Sequence, residues 1–310
     1  MFLEKKFYFL TQNNMSNIQE FAWNWTAFIT PFREDESIDR EAFDNLLQKQ
    51  IDTWVKWILL LGTTAEYPTL SREEDTQVTL RGIEKINQNA KIMVNIWTNS
   101  TYETIENLKK YEEIPWIDAY LVVNPYYNKP TQTGLYKHFK AVADETNRSV
   151  FLYNIKWRTW VNLETDTLLE LINNTNNIVW VKEASQDTNQ ITDVINQTPE
   201  DFVVLAWDDW MAYPTIMNNG HWVIWVTSNL LPYEVTKFVN KWLDGDIQEF
   251  DKWEEYLREF FENEGIQTNP IPIKTALAGK WYINEVFRLP LCPMDEEYRN
   301  KWLQIVDKYC

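Results

Sequence analysis

One lysine in this chain ends an otherwise apolar run, Ile178-Val179-Trp180-Val181-Lys182. A run of that kind reads as a fully buried strand, so the amine at its end points into or just above a low-dielectric interior. Burial disfavours an ammonium, and a neutral amine is what attacks a carbonyl to form a Schiff base. The competing reading is a strand-end lysine paired with a carboxylate, Glu183 being the nearest in sequence. Hydroxyls collect at the ends of other apolar runs: Thr63 and Thr64, Tyr126 and Tyr127, and Tyr153. Three of them, Thr64, Tyr127 and Tyr153, could surround the amine and relay protons without a histidine. Alone, a pair of tyrosines is more often packing than chemistry; the lysine shifts the balance. His138 falls in a helical segment and His221 before the last apolar run, so neither sits at such an end. Arg158, in YNIKWRTWVNL, carries the planar fork that suits bidentate carboxylate recognition, and would equally serve a structural ion pair on a loop.

These side chains need a scaffold that brings strand ends together. Short apolar runs recur at near-regular spacing: WTAFI from Trp25, ILLLG from Ile58, IMVNI from Ile92, AYLVV from Ala119, SVFLYN from Ser149, IVWVK from Ile178, FVVLA from Phe202 and WVIWV from Trp222. Segments of helical periodicity lie between them, among them those starting at Arg40, Arg72, Gly134 and Thr165. Ser71 followed by Glu74 makes a capping box, and Asp187 caps another helix. Strands alternating with helices imply parallel pairing through right-handed crossovers. Eight such units close into an α/β fold of the (β/α)8, or TIM barrel, type, whose site lies at the C-terminal strand ends. Those ends also include Asn99, Trp207 and Thr227. An open doubly wound sheet would carry a Gly-rich loop after the first strand, and WTAFITPFRE has none. The expected organisation is an N-terminal extension over 1–20, a barrel over 21–245 and a C-terminal helical appendage over 246–310. Three segments, FDKWEEYLREFFENE, PIKTALAGKWYINEV and DEEYRNKWLQIVDKY, form the appendage.

Composition narrows the function. The 310 residues carry 29 basic and 46 acidic side chains, a net charge of −17, which argues against nucleic-acid binding. With 2 His there is no His-rich zinc site, and no metal is expected. The 2 cysteines, Cys292 and Cys310, are too few and too close for a disulfide framework, which points to a reducing, cytoplasmic compartment. The apolar FYFL near the N-terminus is shorter than a secretory core, and no run approaches the roughly 20 residues of a membrane span.

The segments LLLGTTAEYPTLSREE, VNPYYNKPTQTGLYKHFKAVA, LYNIKWRTWVNL, VKEAS, DFVVLAWDD, VIWVTSNL and NPIPIKTAL…FRLPL together resemble the dihydrodipicolinate synthase family of pyruvate-dependent class I aldolases. The resemblance is collinear from about Trp23 to the C-terminus. The resemblance implies condensation of pyruvate with aspartate semialdehyde, the step that opens lysine and diaminopimelate biosynthesis, with no cofactor beyond a covalent imine on Lys182. Thr63 and Thr64 would hold the pyruvate carboxylate, and Thr64 would join Tyr153 and Tyr127 in the relay. Arg158 would bind the carboxylate of aspartate semialdehyde and Ile224 would line the pyruvate pocket. In the family the equivalent of Tyr127 enters from a neighbouring subunit, implying a homotetramer built as a dimer of dimers. Asn99, Glu103 and Tyr126 match polar positions of the family's allosteric lysine site, whereas Tyr67, Pro68, Arg72 and Asp75 depart from feedback-sensitive members. Strong lysine inhibition is therefore not expected. The alternatives are another aldolase on the same barrel, of the N-acetylneuraminate lyase or 2-keto-3-deoxy sugar acid aldolase type, or a catalytically dead barrel.

The last alternative arises from a systematic departure. The chain holds 17 Trp and 7 Gly, the reverse of ordinary usage. Trp23, Trp25, Trp54, Trp57, Trp97, Trp116, Trp157, Trp160, Trp180, Trp207, Trp222, Trp225 and Trp281 stand where the family generally has glycine. Glycine serves positive φ and close backbone approach, and an indole supplies neither. Three explanations compete: tryptophans as stacking platforms for sugars, a barrel that has compensated and changed its activity, and UGA codons that the cell reads as glycine. The scatter of these residues opposes the first, and their selectivity for glycine positions favours the third.

Overall fold

The computed structural model describes residues 24–206, 209–218 and 220–310. The expected extension over 1–20, together with Trp23 and Trp207, lies outside the described residues. All eight apolar runs are strands: β1 Trp25–Ala27, β2 Trp57–Leu60, β3 Lys91–Asn95, β4 Ala119–Val123, β5 Ser149–Asn154, β6 Ile178–Glu183, β7 Val203–Ala206 and β8 Trp222–Trp225. They pair in parallel and in sequence order, and β1 closes on β8 through Trp25↔Ile224. The fold is a (β/α)8 barrel.

The helices that connect and follow the strands are α1 Arg40–Asp52, α2 Arg72–Ile86, α3 Thr101–Glu112, α4 Gln132–Ala143, α5 Lys156–Thr159, α6 Thr165–Asn174, α7 Thr188–Gln197, α8 Ala212–Met217 and α9 Pro232–Leu243. The capping signals act as expected. Ser71 and Glu74 exchange both bonds of the capping box at α2, and Asp187 accepts from the backbone N–H groups of Asn189 and Gln190 at α7. The C-terminal appendage is helical: α10 Ile247–Asn263, α11 Ile271–Gly279 and α12 Glu296–Val306. One expectation is corrected here. The segment PIKTALAGKWYINEV is not a single helix, because α11 ends at Gly279. Trp281 then takes a left-handed φ of 63°, and Tyr282 N donates 3.0 Å back to Leu277 O. That is a Schellman-type end, which turns the chain out of the helix axis.

Strand alternation sorts the barrel interior into layers. At one level Trp25 stacks on Trp57 with ring centroids 4.2 Å apart. Phe151 stacks on Trp180 at 4.7 Å, and Trp180 approaches Trp25 at 5.6 Å. Contacts from β1 and β2 to β5 and β6 cross the barrel, so these four rings form its floor. Two residues further along their strands, on the same face, come Tyr153 and Lys182. Trp225 instead packs on Phe238 of α9 and Phe261 of α10, outside the barrel.

Candidate active site

Lys182 is 2% exposed and sits beside Tyr153 in the β5–β6 register, its Nζ 4.8 Å from the tyrosine ring. Alternation sends the next residue, Glu183, to the opposite face. There its carboxylate accepts from Asn154 Nδ2 at 3.0 Å, Ser185 N at 2.8 Å and Gln190 Nε2 at 3.3 Å. Burial pushes the Glu183 carboxyl above its ordinary range, and these bonds hold it back. The carboxylate offered by the competing reading of Lys182 is thus engaged elsewhere, on the side facing the helices.

Thr63 and Thr64 do not end β2 itself. They form a 3-10 turn, Thr63–Ala65, bounded by the left-handed residues Leu61 (φ 59°) and Glu66 (φ 54°). Thr64 is buried, and its Oγ1 accepts from Asn269 Nδ2 at 3.0 Å. Glu66, also buried, accepts from the Lys274 ammonium and, at 3.1 Å, from Arg288 N. Lys274 Nζ donates a second bond to Val286 O at 2.8 Å. Burial pulls the Lys274 pKa down to about 8, against the pull of the Glu66 charge. The threonine turn is therefore clamped by α11 and the segments on either side of it.

Arg158, on α5, reaches the same appendage. Its Nη2 donates to Thr268 Oγ1 at 3.1 Å and to Asn269 O at 3.2 Å, while the guanidinium lies 4.4 Å above the Trp157 ring. Thr268, Asn269 and Trp157 line a cavity of about 670 Å³, together with Asp209, Val226 and Glu264. Asp209, buried and with its carboxyl raised by desolvation, accepts from Val226 N and from Thr227 N at 2.8 Å. It thereby braces the turn beyond β8. Ile224 is buried, and its place between the outward Trp225 and the register with Trp25 faces it into the barrel.

Not every expected residue joins this group. Tyr127 lies four residues beyond the end of β4, with φ 73° and 89% exposure. Within one chain it is therefore not among the hydroxyls around Lys182. A bulky residue at positive φ is a genuine backbone outlier, and such strain concentrates at functional sites. Asn99, Glu103 and Tyr126 gather on the outer rim: Asn128 Nδ2 donates to Asn99 O at 2.7 Å, and burial with the Glu103 charge raises Tyr126. Close by, Asp75 is buried and holds the ammonium of Lys110, which also donates to Arg72 O at 2.8 Å.

The strand-end rule found Lys182 and Tyr153 but missed Glu66, Lys274, Thr268, Asn269 and Asp209. Four of the five are off the strands' own ends because they belong to the appendage or to a turn that it grips. Their only sequence signal was membership of GTTAE, TNPIPIK and the Asp-Asp pair after β7.

Comparison with known proteins agrees with this fold. The profile of the dihydrodipicolinate synthetase family matches residues 20–309. The 4-hydroxy-tetrahydrodipicolinate synthase of Aquifex aeolicus is 38% identical over 283 residues, covering 91% of this chain and 96% of that protein. That of Acidobacterium capsulatum is 40% identical over 278 residues, covering 88% and 91%. The crystal structure of the Aquifex aeolicus dihydrodipicolinate synthase superposes with a TM-score of 0.89 at 36% identity, covering 93% of this chain and 97% of that one.

Proposed function

This chain belongs to the dihydrodipicolinate synthetase family, and we infer that it condenses pyruvate with aspartate semialdehyde as a lyase of the class I aldolase type. The observation that carries the inference is the buried Lys182 amine beside Tyr153, one layer above the barrel floor. The amine adds to the pyruvate ketone and water leaves, forming an imine. Loss of a C3 proton converts it to an enamine, whose carbon attacks the aldehyde. The amino group of the second substrate then displaces Lys182 and closes the ring. Tyr153 and Thr64 pass the protons; Thr63 and Thr64 take the pyruvate carboxylate; Arg158 takes that of aspartate semialdehyde. Ile224 lines the pyruvate pocket from the inner face of β8. The covalent imine is the only carrier this chemistry needs. Among the described residues no helix is long and apolar enough to cross a membrane. That fits a cytoplasmic enzyme of amino-acid biosynthesis. The exposed, strained Tyr127 supports a site completed by a second copy, hence at least a dimer, and we take the assembly to be the homotetramer, a dimer of dimers, that the family resemblance implies. Asn99, Glu103 and Tyr126 mark a vestigial lysine site.

We also propose that the thirteen tryptophans at family glycine positions are glycine in the cell, encoded by UGA. Trp54, Trp116, Trp160 and Trp281 adopt φ of 64°, 69°, 58° and 63°. At Trp54, Val55 N donates 3.1 Å back to Gln50 O, so this residue, like Trp281, occupies the left-handed position of a Schellman-type helix end. That position takes glycine because a Cβ is strained there. Trp97 is buried, its ring 5.9 Å from that of Tyr153.

Borohydride reduction with pyruvate tests the first proposal on the full chain made with glycine at the thirteen positions. A reduced pyruvyl adduct on Lys182, absent without pyruvate, is expected; no adduct, or one on another lysine, refutes it. Peptide mass spectrometry of the natural protein tests the second, with glycine residue masses expected at all thirteen positions. Indole masses at Trp54 and Trp281 refute it.

A further inference from the structure

Lys182 meets Tyr153 in one register of β6 on β5, and the ladder between these strands is interrupted below the site. Val150 stands opposite Ile178 and Phe151 opposite Trp180, so Val179 is an extra residue in β6. A bulge of this kind disrupts the ladder and bends its strand. A slip of one residue turns every side chain to the other face, which here would replace Lys182 in the barrel by Val181 or Glu183. Above the bulge the pairs are Tyr153↔Lys182 and Asn154↔Glu183.

A side-chain bond closes the register at that last pair. Asn154 and Glu183 are buried on the outer face, behind Tyr153 and Lys182. Asn154 Nδ2 donates to the two Glu183 oxygens at 3.2 Å and 3.0 Å. Backbone groups fix the sense of this bond. Leu163 N donates to Asn154 Oδ1 at 2.9 Å, so the Asn154 NH2 must face Glu183. Leu163 O accepts from Gln190 Nε2 at 3.1 Å, so that amide also turns its NH2 toward Glu183. With Ser185 N as the third, every hydrogen-bond partner of the Glu183 side chain is a donor. A carboxylate, which only accepts, fits that cage; an amide brings two N–H groups that find no acceptor in it.

We propose that Glu183 is a positioning residue, which through Asn154 locks the register above the bulge and so holds the Lys182 amine beside Tyr153. It acts from the opposite face of the sheet and touches neither substrate. The assignment rests on the imine chemistry proposed above.

The test uses the full chain with glycine at the thirteen positions, with rates expressed per folded chain from urea unfolding of each variant. Glu183→Gln keeps the size of the side chain and loses the match to its donors. It is expected to lower both kcat and the rate of pyruvate-dependent borohydride labelling of Lys182 by about ten- to a hundredfold, the scale of a misplacement of roughly 1 Å. The KM for aspartate semialdehyde should stay within about twofold, since its binding groups are untouched. In Asn154→Asp/Glu183→Gln the bond is reversed, with the new amide donating to the new carboxylate, and both rates should return to within about threefold of the parent. Glu183→Asp keeps the charge and shortens the reach; a loss of about three- to tenfold is expected, and this variant decides if Glu183→Gln does not fold. Parent rates per folded chain in the single variants, or a double variant no faster than Glu183→Gln, overturn the assignment and leave Glu183 a residue of stability alone. If the parent chain neither labels nor condenses, it is the condensation reading that fails.

Discussion

Replacing Trp54, Trp116, Trp160 and Trp281 together by glycine should stabilise the chain as written. The four residues are 73%, 56%, 78% and 94% exposed, so their indoles contribute little packing that glycine would forfeit. All four sit at positive φ. Relief of the left-handed Cβ clash is worth roughly 1–2 kcal/mol per residue. The larger freedom of glycine in the unfolded chain takes back about 0.5–1 kcal/mol each. About 0.5–1 kcal/mol per site remains. Sites so placed in different turns share no partners and add, giving about 2–4 kcal/mol in total. Urea unfolding of the two proteins side by side measures this as a rise of about 1 M in midpoint at an unchanged slope of about 3 kcal/mol per M. The interior supplies a contrast. Trp25→Gly or Trp180→Gly alone removes a ring from the stacked barrel floor and should destabilise by about 3–5 kcal/mol, the range for deleting a large buried side chain. A quadruple variant no more stable than its parent would refute the claim that these positions require glycine.

Three further outcomes follow from the same geometry. Lys274→Met leaves Glu66 buried without its ammonium and should cost about 3–5 kcal/mol in unfolding experiments, with much of it recovered in Glu66→Gln/Lys274→Met; a double variant as unstable as the single one contradicts the clamp. Burial pulls His138 down to about 4, so the unfolded chain, titrating near 6.5, takes up its proton first. Its contribution is complete above about pH 6.5 and is lost as pH falls through about 4, by roughly 3 kcal/mol; chemical denaturation across that range should show the slope, and His138→Gln should flatten it. Added lysine should not strongly inhibit the initial rate, because beside Asn99, Glu103 and Tyr126 the chain carries Tyr67, Arg72 and an Asp75 paired with Lys110; strong saturable inhibition would contradict this.

Much of the barrel was legible in the chain because its signals are local. Each strand is a run of branched and aromatic residues, and several helix starts carry a capping residue, as at Ser71 and Asp187; β6 reads as buried up to Lys182 without reference to any other segment. Lys182 and Tyr153 followed from the same rule, since strand ends are where a barrel exposes chemistry. The pairing of Lys182 with Glu183 looked equally plausible in one dimension, and only the alternation of a real strand separates their faces.

By itself the sequence determined the parallel (β/α)8 architecture, the placing of a lysine and a tyrosine at the ends of neighbouring strands, and the unusual placement of tryptophan. Periodicity, capping and composition are properties of neighbours along the chain, and they need no knowledge of distant contacts. Tertiary structure alone decided which side of the barrel each of those groups faces. It also decided that residues more than 200 positions beyond Thr64 and Glu66 grip the turn they occupy. Those bonds join the end of the chain to its second strand unit, and no spacing in sequence encodes them. They exist because closing the barrel brings β2 round to the appendage, where burial penalises a polar group left without a partner.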